Sequence, residues 1–211
     1  MYQPPHFRED DPAVQHALIR AHPLGLLVTS GAGGLEANHI PFILDASDGL
    51  LQGHVARPNT QWQNFDPATE ALVVFQGPEA YITPSWYATK AETGKVVPTW
   101  NYAVVQVHGR LRAVEDRDWL RAQIEALTRS QEDRRAHGWH VADAPEAYIE
   151  AQIRGIVGIE IAIARIEGKW KVSQNRPESD RAGVVAGLSN GGDEAALAMA
   201  GLVAARRKAG T

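Results

Sequence analysis

Two hundred and eleven residues, 44% apolar and 22% charged, make one full domain with a modest appendage and exclude the disordered and fibrous classes. The net charge of −4 provides no overall field for nucleic acid, so any anion site must be built locally. The absence of cysteine excludes a disulfide framework, a thiolate zinc site, an iron–sulfur cluster and a cysteine nucleophile.

Residues 1–10 carry prolines, a histidine and charge where a secretion signal has an apolar core, and no apolar run approaches roughly 18 residues. A soluble, cytoplasmic protein is expected. Asp11 and Pro12 open a short helix with Val14, Ala17, Leu18 and Ala21 on one stripe, ending at His22-Pro23. Residues 24–30 and 35–44 are apolar and extended around a glycine-rich turn at 31–34, which predicts a hairpin. A third strand is expected over 50–56, then a short helix from Asn59 to Phe65, then two short strands over 71–76 and 80–83. Residues 88–96 are small and polar without periodicity, and read as an exposed loop before a long strand over 100–114. Asp116 caps a helix with Leu120, Ile124 and Leu127, and Pro145 opens another ending at Gly155. Ile159, Ile161 and Ile163 alternate into a last strand, which Glu167-Gly168 turns toward Trp170 and Val172. Seven or so strands joined mostly by short turns predict an antiparallel barrel with peripheral helices, a mainly β fold occupying residues 1–186. Residues 187–211 form a helical tail: Asp193-Glu194 opens an alanine-rich run closed by Arg206-Arg207-Lys208, which suits the helix dipole and reads either as a packed terminal helix or as a basic contact for nucleic acid.

No dinucleotide fingerprint, phosphate loop or nucleophile elbow is present, and His137 and His140 lack a third metal ligand. Four segments remain. His54, Arg57, Asn59 and Thr60 gather an imidazole, a guanidinium and backbone donors at one strand-to-helix turn, which reads as a phosphate site or as a cap with a surface arginine. Asn38 and His39 precede Pro41, which marks an edge or an irregularity. Trp100 and Tyr102 share one strand face and Thr99 and Asn101 the other, so a heteroaromatic ring would find both apolar surface and hydrogen bonds; core or interface packing accounts for the same pattern. Lys171, Ser173, Gln174, Asn175 and Arg176 end the last strand in polar residues, either a site or a solvated exit.

The opening residues Met1 to Phe7, the stretch from His54 to Trp62, Val97 to Tyr102 and Lys171 to Arg176, taken in order over nearly the whole chain, resemble the PaiB-like family of FMN-binding negative transcriptional regulators. The resemblance implies an FMN-binding split barrel and a homodimer with flavin near its interface. It implies that Arg57, Asn59 and Thr60 hold the FMN phosphate with Asn38 and His39, and places His54 in the same site. It also implies that Trp100, Asn101 and Tyr102 lie against the isoalloxazine, and that Lys171, Ser173, Gln174 and Asn175 approach it. The competing class is an enzyme on the same barrel, either a flavin-dependent oxidoreductase with residues 88–96 as a lid or a haem-degrading oxygenase using His6 or His108. An uncovered apolar face around Val104, Val105 and Val107 is expected to make the dimer. Direct DNA binding is expected to be weak, because neither charge nor a groove-reading motif supports it.

Overall fold

The computed structural model describes residues 1–191 and 193–206. Its eight strands are β1 (Arg8–Glu9), β2 (Leu24–Gly31), β3 (Gly34–Pro41), β4 (Ile43–Asp45), β5 (Leu50–Ala56), β6 (Ala71–Ile82), β7 (Thr99–Val114) and β8 (Ile156–Lys171). The helices are α1 (Pro12–Ala21), α2 (Gln61–Asn64), α3 (Thr89–Thr93), α4 (Arg117–Glu132), α5 (Glu146–Arg154), α6 (Glu178–Asn190) and α7 (Glu194–Ala205). The strands form one sheet in the order β3-β2-β6-β7-β8-β5-β4, with β1 paired to β8, and the registered pairs are antiparallel. This is the mainly β, split-barrel architecture with peripheral helices that the sequence predicts.

The chain divides into two compact units, and β6, β7 and β8 contribute residues to both. One unit holds residues 16–75 and 106–166. Here β2 and β3 make the expected hairpin, with Leu26 opposite His39, Leu27 opposite Asn38, and Gly34 at φ 100° in the turn, a conformation open to glycine. Alternation along the strands sends Leu27, Leu51, Val73, Phe75, Val107, Ile159 and Ile161 into the core. Asp116 accepts a bond from Trp119 N at 2.8 Å and starts α4, whose Leu120 packs with Val141, Ile149 and Ile153. Gly158 is needed there: a Cβ would lie 2.3 Å from the Trp119 ring.

The other unit holds residues 1–15, 76–105 and the described part of 167–211. β1 pairs with β8 through Arg8 opposite Lys169 and Glu9 opposite Gly168. Helices α6 and α7 bury Val184, Leu188, Met199 and Val203. Asp193 caps α7 by accepting from Ala196 N at 2.6 Å, as its charge pattern predicts.

Five expectations need correction. The extended run over 35–44 is two strands: β3 ends at Pro41, and β4 pairs with β5 instead of continuing the hairpin. β6 is one strand: its registered pairing with β2 covers only residues 72–74, so Pro78 forfeits no bond to that neighbour. β8 runs through Glu167-Gly168 because β1 pairs with it there, and a Cβ at Gly168 would come within 2.8 Å of the Glu9 carbonyl. Residues 89–93 form the short helix α3, closed by Gly94 at φ 65°. Val104, Val105 and Val107 are buried within the single chain and form no uncovered face.

A methyl at Gly158 must displace the Trp119 indole. Gly158→Ala should therefore lower stability by about 1–3 kcal/mol, visible as a reduced urea midpoint with unchanged slope. An unaltered midpoint would show that the indole moves aside without cost.

Candidate functional site

The sequence-predicted residues fall into two sets, one in each unit. In the unit containing the end of β8, Asn101 and Ser173 are both buried and exchange hydrogen bonds: Asn101 Nδ2 donates to Ser173 Oγ at 2.9 Å, and Ser173 Oγ returns to Asn101 Oδ1 at 3.3 Å. Ser173 has φ 63°, the one non-glycine residue with positive φ among the described residues. A left-handed serine costs of order 1 kcal/mol and marks a backbone held by its surroundings. Gln174 fixes the same turn, accepting from Val172 N at 2.7 Å and donating to the Trp170 carbonyl. Asn175 is exposed.

This turn collects cations. Lys169 is 8% exposed, and its Nζ lies 5.5 Å from the Tyr2 ring centroid and 5.4 Å from that of Tyr102. Lys171 Nζ donates to Thr99 Oγ1 and to the Trp100 carbonyl, the latter at 2.5 Å. Arg176 lies 4.6 Å over the Tyr87 ring. Among the described residues no carboxylate pairs with Lys169, Lys171 or Arg176. Burial first, then the charges of Lys169 and Arg176, hold the Lys171 ammonium below the ordinary lysine range. Cations desolvated beside aromatic rings and lacking a counter-ion form a receptor for an anionic aromatic molecule. The residues present thus fit FMN, whose phosphate and ring system need both features.

Trp100 points elsewhere. It is 53% exposed and meets Tyr81 edge to face, with centroids 5.9 Å apart at 68°.

The second set occupies the other unit and is largely engaged with its own chain. Arg57 donates from Nε to the Arg154 carbonyl at 3.0 Å, from Nη2 to the Ile156 carbonyl at 3.0 Å and from Nη1 to Glu115 at 2.6 Å. Asn59 Oδ1 accepts from Gln61 N at 3.0 Å, and Thr60 precedes α2 without a side-chain cap bond. His54 Nδ1 lies 2.7 Å from Gln123 Oε1. His39 is exposed on β3. Asn38 Nδ2 donates to Gln61 Oε1 at 3.0 Å, and Gln61, 1% exposed, spends its amide on Thr29 Oγ1, the Leu27 carbonyl and the Glu36 carbonyl. Sequence reasoning passed over Gln61, Lys169 and the Tyr2 ring; their signals are a polar residue inside a strand-to-helix junction and a lysine in an apolar strand. His6 packs edge-on to Phe7, and Arg165 Nη2 contacts His108 Nδ1 at 2.9 Å.

Residues 1–165 match the family described as "Putative FMN-binding domain". An uncharacterised protein of Emericella nidulans is 38% identical over 92% of this chain and 92% of its own length. Protease synthase and sporulation protein PAI 2 of Bacillus subtilis is 32% identical over 96% of each chain. In fold, the chain is similar to the FAD and haem binding protein from Mycobacterium smegmatis, with a TM-score of 0.54 at 13% identity over 78% of this chain and 73% of the other.

The Asn101–Ser173 pair is buried, so removing one partner strands the other. Asn101→Ala should destabilise by about 1–3 kcal/mol, whereas Ser173→Gly should cost less because glycine takes the left-handed conformation freely. Chemical unfolding of both variants checks this, and equal losses would mean that the backbone at Ser173 carries no strain.

Proposed function

Because the chain belongs to the family of FMN-binding domains and binds FMN as its cofactor, we propose that it is a flavin-loaded regulator of gene expression, in keeping with its resemblance to the PaiB-like proteins. The relative from Bacillus subtilis, named for protease synthesis and sporulation, supports this reading by matching over 96% of both chains. FMN supplies one- and two-electron redox chemistry when bound. In this reading the protein's part is to hold and orient it.

The observation that carries the proposal is the group of three cations at the end of β8, with which no carboxylate pairs among the described residues. Lys171, with Lys169 and Arg176 beside it, supplies charge to the flavin's anionic groups. Tyr102 gives apolar surface, and the Asn101–Ser173 pair fixes the turn that presents them. Arg57 has three of its donor groups committed to its own chain, so its variant should lose packing of β5 against β8 before it loses flavin.

We place the protein in the cytoplasm as a homodimer. Among the described residues no helix is long and apolar enough to cross a membrane. The β2–β3 hairpin supports self-association: Leu24 and Leu35 are exposed, and β3 ends the sheet. Direct contact with DNA has little support. Of the three basic residues near the C-terminus, Arg206 pairs with Glu9 and lies 5.8 Å over the Trp170 ring, while Arg207 and Lys208 lie outside the described residues. In this reading regulation is exerted indirectly, through flavin chemistry or a protein partner.

Lys171→Gln should weaken FMN binding by roughly tenfold or more in a flavin-fluorescence titration, since a charge-assisted contact is lost. Unchanged affinity in this variant, with loss in Arg57→Ala, would move the phosphate to the other unit. The dimer should sediment at twice the 23.0 kDa chain mass. It should not distinguish upstream from scrambled DNA at about 150 mM salt; nanomolar discrimination would make it a direct repressor.

A further inference from the structure

One cavity in the same unit has the opposite electrostatic character to the end of β8. It encloses about 340 Å³ between β6, β7 and the α6–α7 segment, and its walls include Tyr81, Trp86 and Trp100 with Glu79 and Asp193. Among the described residues no lysine, arginine or histidine lines it. Glu79 and Tyr81 stand two residues apart on β6 and so share a strand face, both exposed. Glu79 has no hydrogen-bond or ion-pair partner among the described residues.

The aromatic wall is built in advance. Trp86 is seated on α6 by two glycines: a Cβ at Gly187 would lie 2.3 Å from its indole, and one at Gly183 would lie 1.9 Å from its carbonyl oxygen. Glycine weakens a helix interior by about 1 kcal/mol, so two of them one turn apart are a cost that seating the indole accounts for. Tyr81 and Trp100 hold an edge-to-face pairing at 5.9 Å, which leaves ring surface exposed on both. The amino terminus of α7 also reaches this cavity, but Asp193 already caps it and Glu194 follows. Its partial positive charge is met by the chain's own carboxylates.

Ring faces present negative potential, and an unpaired carboxylate adds to it. FMN, with its phosphate dianion, is repelled by this lining and drawn to the lysines of β8. We propose that the cavity binds an organic ammonium ion, held against Trp86, Trp100 and Tyr81 by cation–π contact with Glu79 as its counter-charge. The volume suits a small ion, at the lower end of ligand pockets. The site goes beyond the flavin-binding reading and does not depend on it.

The test is calorimetric titration of the FMN-loaded protein with choline, and with its uncharged isostere 3,3-dimethylbutan-1-ol. Choline should bind saturably and the isostere at least about tenfold more weakly, because the cation and not the shape is recognised. Tyr81→Leu and Glu79→Gln should each weaken choline about fivefold or more. Their flavin-fluorescence titrations should match the unsubstituted protein and report an intact fold. Equal binding of the two probes, or no saturation with choline up to about 100 mM, would overturn the assignment. So would a Tyr81→Leu variant that binds FMN poorly and choline normally, which would give the cavity to the flavin.

Discussion

Three cations gather at the end of β8, and among the described residues no carboxylate pairs with them. Burying an ammonium without a counter-ion costs several kcal/mol unless something else meets the charge. Tyr2 and Tyr102 meet part of it for Lys169, and the Thr99 hydroxyl with the Trp100 carbonyl meets part of it for Lys171. In the proposed function a bound anion meets the remaining demand. Ser173 holds its left-handed backbone at the turn that ends β8, with its hydroxyl bonded to Asn101.

The lysines and Arg176 surround the β8 turn, whereas Glu79 and Asp193 line the aromatic cavity beside α6 and α7. Trp100 and Asn101 are neighbours in sequence yet take opposite faces of β7, one toward the acidic cavity and one toward the buried serine. A single strand thus presents two chemistries through its alternation of side chains.

The sheet was legible where alternation and turn residues agree, as in the β2–β3 hairpin and in β5, and the helices where a cap precedes an apolar stripe, as Asp116 does for α4. Breaks were overread. Gly77-Pro78 and Glu167-Gly168 look like turns by composition, but a strand tolerates them where a neighbouring bond is absent or another backbone comes close. Helix α6 escaped detection because Gly183 and Gly187 are poor helix formers, and they are explained by Trp86, a partner distant in sequence. Of the candidate site, the polar string from Lys171 to Asn175 was visible as chemistry, although Gln174 turned out to hold backbone. The Lys169 sandwich was not visible, since cation–π contacts leave no local signature. Arg57 shows the converse: residue type suggested an anion, and the structure occupies three of its donor groups with Glu115 and two carbonyls.

The central claim, that the flavin's charge completes the cation cluster, has a direct proton signature. Burial and the neighbouring cations hold Lys171 below the ordinary lysine range, and a bound anion favours its charged form. On the alkaline side of neutrality, FMN binding should therefore draw protons from solution, an uptake that calorimetry in two buffers of different ionisation enthalpy measures and that Lys171→Gln abolishes. Uptake of zero at every alkaline pH, or uptake that persists undiminished in the variant, would contradict a flavin held by this lysine.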